Sequence, residues 1–207
     1  IENNIKTLIA NGLDAYAPDG SFEESPSYWN YSTNGLYTMI WALNTSYGSD
    51  MGLSTTWGLD KTFYYAIQTE FKVFGEEGYK YWGYHEAAAG YQNTDMFFYA
   101  ATLLGDNGVA AVRVEQLNKK PVSVFDILAY DAAFIAAELP TLELDYRLES
   151  VEGFVTRSDW ADGSIILGVM GGSNDSVNGQ IDSGNFIYTS QGYNWFIDLG
   201  GENPGVA

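Results

Sequence analysis

The sequence contains no cysteine, one histidine and only nine lysines and arginines among 207 residues. Without cysteine there is no disulfide scaffold, no thiolate zinc site and no cysteine nucleophile. The basic residues are scattered (Lys6, Lys61, Lys72, Lys80, Arg113, Lys119, Lys120, Arg147 and Arg157). They form no stripe that would hold a phosphate backbone, so nucleic acid is not an expected partner. No apolar run approaches the ~18 residues of a membrane span, and no signal-peptide pattern follows Ile1. The last residues, Gly205-Val206-Ala207, come just after a strand-like run, and the chain reads as a piece of a longer protein. Against these absences stand 27 acidic residues, a net charge of −18, and a composition that is 46% hydrophobic and 16% aromatic. So many aromatics argue against disorder. The length suits one sizeable core, or a large unit with a smaller one attached.

Hydrophobic spacing divides the chain. Ile5, Leu8, Ile9 and Leu13 recur at helical intervals. Ser25-Pro26 opens a second helix, expected over Ser27 to Tyr47 and stopped by Gly48. Further helices are expected at Gly58 to Thr69, Thr94 to Leu104, Val109 to Asn118 and Ser123 to Ala137, with an extended or looping stretch from Phe71 to Tyr84. Beyond Pro140 the period becomes two. Leu142, Leu144 and Tyr146 alternate with polar residues, as do Phe154, Ile165, Leu167 and Val169 in later runs. Asn185 to Tyr188 and Tyr193 to Leu199 form an expected hairpin around Ser190-Gln191-Gly192. Helices first and strands second predict an α+β fold, divided at residues 1–138 and 139–207.

Three segments carry residues with chemical potential. Asp19 to Tyr31 concentrates acids and aromatics at a loop-to-helix junction. Tyr28 and Tyr31 stand three apart on one helical face, and a phenol transfers a proton once its pKa is lowered from ~10. Aromatics beside carboxylates also hold sugar rings. The plainer reading makes Glu23 and Glu24 acids at the helix's positive end and the rings core. The single histidine, His85, precedes Glu86 among aromatics: either an acid/base pair or a structural imidazole. Asp182 precedes one strand of the hairpin and Asp198 ends the other; they are paired carboxylates for a metal or a sugar hydroxyl, or else turn residues. Asn-x-Ser/Thr matches at Asn30, Asn44 and Asn174 matter only in a eukaryotic secreted protein.

Two longer motifs resemble a known family. PDGSFEESPSYWNYSTNGLY at Pro18–Tyr37 is similar to the DG-x-x-x-E-x-S-P-x-Y loop and helix of heparinase II/III-type polysaccharide lyases. RSDWADGSIILGVMGG…NGQIDSGNFIYTSQGYNWFIDLG at Arg157–Gly200 is similar to the family's R-S-x-W … HGHLDAGSF … G-x-x-W-x-x-D-x-G. The resemblance implies a partial (α/α) toroid followed by the start of an antiparallel β-sandwich. It also implies a polysaccharide or oligosaccharide partner and a location outside the cytoplasm.

The family's chemistry is β-elimination at a uronic acid, which requires a neutralised carboxylate, a base for the C5 proton and an acid for the leaving oxygen. By the same resemblance Tyr28 is the base or acid, Glu24 the acidic residue preceding it, and Asn178 stands where a catalytic histidine is usual. The neutralising Asn or His of the family falls upstream of Ile1. Tyr31, Trp29, Trp82, His85 and Gln180 are the expected sugar contacts. Asp182 and Asp198 match retained positions and are the residues expected at the family's site for a divalent metal such as zinc. No cofactor is expected here, because Gln180 replaces the ligating imidazole. Asn and Gln transfer no proton near neutral pH, so Asn178 should forfeit a general acid–base contribution of ~10²–10⁴-fold. A net charge of −18 also repels a polyanion, within the ~8–10 Å allowed by physiological screening.

Two rival readings accompany the lyase. One is a degenerate relative that binds glycan through Tyr28, Trp29, Tyr31 and Trp82. The other is an (α/α)-barrel glycoside hydrolase using Asp19 and Glu24.

Overall fold

A computed structural model describes residues 2–72, 79–85, 95–117, 121–175 and 181–198. Among the described residues six α-helices come in chain order: α1 (Glu2–Gly12), α2 (Ser25–Tyr47), α3 (Thr62–Gln68), α4 (Phe97–Leu104), α5 (Asn107–Gln116) and α6 (Val124–Ala129). Between α3 and α4 the strands β1 (Glu70–Lys72) and β2 (Tyr79–Tyr81) pair antiparallel, Glu70 opposite Tyr81. A five-stranded antiparallel meander follows: β3 (Asp145–Leu148), β4 (Gly153–Arg157), β5 (Ile166–Met170), β6 (Phe186–Ser190) and β7 (Tyr193–Phe196). The fold is α+β, in the order that the spacing predicts.

Local signals set most boundaries. Pro26 lies in the first turn of α2, where its missing N–H breaks no helical bond. At the other end Gly48 takes φ +71° and its N–H returns to the Asn44 carbonyl at 3.0 Å. The Asp106 side chain caps α5 by accepting from the Gly108 N–H at 2.9 Å. Between β6 and β7, Gln191 and Gly192 both have positive φ, as a two-residue hairpin turn that follows strand twist requires. Two expected helices are shorter than the spacing suggests. The one expected from Gly58 begins at Thr62, because Gly58 has φ +84° and a Cβ there would lie 1.8 Å from the Tyr16 carbonyl oxygen. The Ser123–Ala137 stretch breaks after α6 at extended Tyr130 and Asp131, and the Asp131 carboxylate then starts a 3-10 turn at Ala132–Ala136. Thr94, Asn118 and Leu199, expected ends of three elements, lie outside the described residues.

The alternation is right for β3 and assigns β4 and β5 to the wrong face. Val155, Ile166 and Met170 face the core, while Phe154 and Ile165 are 40% and 46% exposed. Both faces of this sheet are apolar, and the inward row also carries Gly168 and the buried Arg157. Apolar spacing alone therefore selects the outer row. That inward face joins one continuous core, with Leu148, Val155, Ile166, Met170 and Ile187 clustered with Trp29, Phe63, Phe97 and Trp82 from the helical part. Gly168 is where the sheet and the β2 end meet most closely. A Cβ there would stand 2.9 Å from the Trp82 ring and 3.0 Å from Ile187. Gly168→Ala should therefore destabilise the chain by ~1–3 kcal/mol through overpacking, read as a lowered denaturation midpoint. An unchanged midpoint would mean that the sheet does not press on Trp82.

The buried phenols make alkaline pH the weak side of this fold. Burial pushes Tyr16 and Tyr146 up to about 12, and raises Tyr37, Tyr65 and Tyr84 as well. Unfolded phenols titrate near ~10, so above that pH the unfolded chain sheds protons that the folded chain retains, and stability falls. Arg157 acts in the opposite sense, since burial lowers its pKa to about 10. Five phenols outweigh one guanidinium. Circular dichroism should show cooperative unfolding beginning above ~pH 10, with tyrosinate absorbance rising in the same step. Tyrosinate titrating near that pH in a chain that keeps its helical signal would contradict this.

Candidate active site

The segment Trp82-Gly83-Tyr84-His85, just after β2, brings the two motifs together. On one side the Tyr84 hydroxyl donates to the Phe22 carbonyl at 2.8 Å and lies 2.6 Å from the Tyr65 hydroxyl, which itself reaches Phe22 O at 3.4 Å. Both phenols are fully enclosed and their pKa values raised by burial, so they stay protonated and fix the 19–25 loop. On the other side the His85 N–H donates to Asp182 Oδ2 at 2.6 Å, and the imidazole Nδ1 is 3.3 Å from the same oxygen. His85 and Asp182 are 3% and 6% exposed. Beyond Asp182 the turn closes, with the Asn185 N–H on the Asp182 carbonyl at 2.7 Å. The Asn185 side chain then donates to the Asp198 carboxylate. A chain of contacts thus runs from Phe22 through Tyr84 and His85 to Asp182, Asn185 and Asp198.

Backbone strain falls on the same residues. Ser25 has φ +88° and His85 φ +56°, values that non-glycine residues seldom adopt. Each costs ~1–3 kcal/mol and persists only where surrounding contacts hold it. Ser25, completely buried, is the first residue of α2, one turn before Tyr28. Tyr28 is half-buried against the core, and Glu24 occupies the N-cap position without a side-chain capping bond.

The other expected contacts divide by exposure. Trp29 is 2% exposed, with its indole N–H on Thr62 Oγ1 at 2.6 Å and its ring edge-on to Phe63 and Tyr65. Trp82 is 1% exposed beneath Gly168. Both are core side chains with no open ring face for a sugar. Tyr31 is 83% exposed and lines a shallow groove with Asn34, Thr38 and Phe125, so it does not share the half-buried setting of Tyr28. Asn178, Gln180 and Glu86 lie outside the described residues.

Asp19 has a different task from the one a hydrolase would give it. Its Oδ1 accepts from the Ser21 N–H and hydroxyl at 3.1 and 2.5 Å, and its Oδ2 from the Glu149 N–H at 2.8 Å. Ser21 Oγ also meets Ser150 Oγ at 2.6 Å. Asp19 therefore ties the first loop to the β3–β4 turn, and both its oxygens are engaged. Ser21, Tyr65 and Tyr84 escape notice in the sequence because hydroxyls that bond across more than 100 residues, or from one buried ring to another, leave no periodic trace. Among the described residues, no three His, Asp or Glu side chains come together to hold a metal ion. The described donors do not fit a zinc centre.

No protein-family model and no curated protein sequence matches the chain. Solved structures do. Heparan sulfate lyase HepC from Pedobacter heparinus superposes with a TM-score of 0.65 at 14% identity, covering 99% of this chain and 30% of that one. A mutant of the same lyase gives 0.61 at 16% identity over 96% and 28%. A heparinase III gives 0.63 at 14% identity over 96% and 30%. The chain thus has the fold of part of these lyases and spans less than a third of their length.

Proposed function

We propose that this chain is part of a polysaccharide lyase-like protein that cleaves a uronic-acid polysaccharide by β-elimination, with Tyr28 carrying the proton and the His85–Asp182 pair supplying the imidazole of the site. The proposal includes a division into a helical unit at 1–138 and a sheet unit at 139–207. In the reaction the C5–H bond breaks toward the base and its electron pair is taken up by the adjoining carboxylate. That pair then forms the C4–C5 double bond as the C4–O bond breaks, and the leaving oxygen takes a proton. The observation that carries this reading is the Tyr84–His85 link, which binds the loop before Tyr28 to the turn that carries Asp182. Among all residues of the chain only His85 has an imidazole. Asp182 Oδ2 accepts from the His85 backbone N–H and lies 3.3 Å from its Nδ1, and Asn178 of the second motif offers no imidazole. The likeness in fold to heparan sulfate lyases agrees.

The test is the near-ultraviolet absorbance of unsaturated uronate, measured with the full-length protein on heparan sulfate and alginate. Absorbance growing with time is the expected result, reduced tenfold or more in His85→Gln. New reducing ends without that absorbance would mean hydrolysis and overturn the reading. Binding without product is the second reading, a glycan-binding relative, which the replacement of two family histidines by Asn178 and Gln180 favours. Restoring both imidazoles would then create activity where none existed. No helix among the described residues is long and apolar enough to cross a membrane, and a place outside the cytoplasm belongs to the same proposal.

A further inference from the structure

We infer that Tyr84 is a positioning residue of the elimination site: its hydroxyl holds the turn that aims Tyr28, while its backbone carries His85. The inference rests on the elimination chemistry proposed for those two residues. The Phe22 carbonyl closes a tight turn by accepting from the Ser25 N–H at 3.2 Å, and α2 starts at Ser25. Ser25 holds φ +88° there, a conformation that persists only where neighbouring contacts enforce it. The Tyr84 hydroxyl makes a shorter bond to the same carbonyl, at 2.8 Å. Tyr28 follows three residues after Ser25, within the first turn of the helix.

Each phenol has one proton to donate. That of Tyr84 goes to the Phe22 carbonyl, which leaves its oxygen to accept from the Tyr65 hydroxyl at 2.6 Å. Tyr65 itself is 3.4 Å from the carbonyl, longer than a good O–H···O bond. It backs Tyr84 and does not replace it. Both side chains are completely enclosed, and burial raises both phenols, so neither gives up its proton in the reaction. Their part is geometric. The start of the loop is held separately: Thr62 Oγ1 donates to the Gly20 carbonyl at 2.8 Å and accepts the Trp29 indole N–H at 2.6 Å. Thr62 and Tyr65 stand three apart on α3, so α3 grips the loop twice, and Tyr84 carries the grip on to the second motif.

On that side the Tyr84 ring stands edge-on to the His85 imidazole and to Trp82, with centroids 5.2 Å apart in each case. His85 has φ +56° and its N–H is tied to Asp182. Two strained residues, one in each half of the site, are therefore fastened to one side chain. Displacing a reacting group by ~1 Å can cost ~10²-fold in rate. Releasing the Phe22 turn should therefore lower kcat and leave substrate binding alone.

Tyr84→Phe in the full-length protein tests this, since the ring stays and only the hydroxyl goes. Its kcat for unsaturated-uronate release should fall roughly ten- to a hundredfold, with KM within about twofold of wild type. Tyr65→Phe, which leaves the 2.8 Å bond to Phe22 intact, should cost about threefold or less. Tyr16→Phe is the control. It removes another buried phenol hydroxyl, bonded to Thr33 at 3.0 Å, and should lower the melting temperature comparably while leaving kcat within about twofold. A second readout needs no turnover. With isotope-labelled tyrosine, the Tyr28 ring signal, assigned by its loss in Tyr28→Phe, should shift in Tyr84→Phe and stay in place in Tyr16→Phe. Equal losses of kcat in Tyr84→Phe and Tyr65→Phe would overturn the proposal, as would an unmoved Tyr28 signal. So would a Tyr84→Phe chain that no longer folds, which would make the hydroxyl a matter of stability alone. A wild type that releases no unsaturated uronate overturns the elimination reading instead, and the Tyr28 signal then decides by itself whether Tyr84 sets the turn.

Discussion

Tyr28→Phe should lower the rate of unsaturated-uronate release by ~10²–10⁴-fold, the usual contribution of a positioned general acid or base. The substitution removes one hydroxyl and keeps a ring that packs, half-buried, against the core at the start of α2. The fold should barely notice, and the melting temperature should stay within a few degrees of wild type. Neighbouring phenols cannot take over. Tyr65 and Tyr84 are held protonated by burial and committed to the Phe22 carbonyl. Tyr31 is the control: it stands 83% exposed in another groove, and Tyr31→Phe should leave turnover within about twofold, as surface changes away from a site do. Equal loss in both variants would point to a general role in holding glycan. No loss in either would remove Tyr28 from the chemistry and leave it an ordinary packed aromatic.

The largest loss of stability is expected at Asp126. Its carboxylate accepts from Arg113 Nε at 2.8 Å and Nη2 at 2.5 Å, and from the Ser123 N–H at 2.8 Å. Arg113 and Asp126 are 1% and 2% exposed. One side chain thus neutralises a buried guanidinium, joins α5 to α6 and closes the capping box of α6. Removing one partner of such a pair leaves an uncompensated buried charge, a loss of ~3–5 kcal/mol. In a chain of this size that lowers the melting temperature by ~6–20 °C. Asp126→Ala should show this in thermal denaturation. The Arg113→Met, Asp126→Leu double variant should recover much of it, since an apolar pair of similar volume carries no desolvation penalty. A double variant as damaged as the single would show that the capping box, and not the ion pair, dominates.

What local chemistry encodes was legible before any fold was known. Pro26, Gly48 and the Gln191-Gly192 turn act through the backbone of their own segments, so α2 and the β6–β7 hairpin fall close to where spacing puts them. The change of period near Pro140 announces the sheet for the same reason: side-chain direction alternates along any strand. Tyr28, Asp182 and Asp198 stand within motifs, where neighbours in sequence suffice to single them out as candidates.

What depends on distant partners was decided by packing. Apolar side chains on both faces of the sheet leave the pattern of β4 and β5 without a unique inward row, and packing against the helical part, Trp82 on Gly168 included, fixes which face is buried. Trp29 and Trp82, attractive as sugar platforms by residue type, are enclosed because hydrophobic burial claims large rings wherever the chain folds back on them. Asp19, plausible as half of a carboxylate pair, spends Oδ1 on Ser21 and Oδ2 on a turn about 130 residues away. The meeting of His85 with Asp182 spans 97 residues, and no local spacing encodes a contact made only when two loops close on a common core.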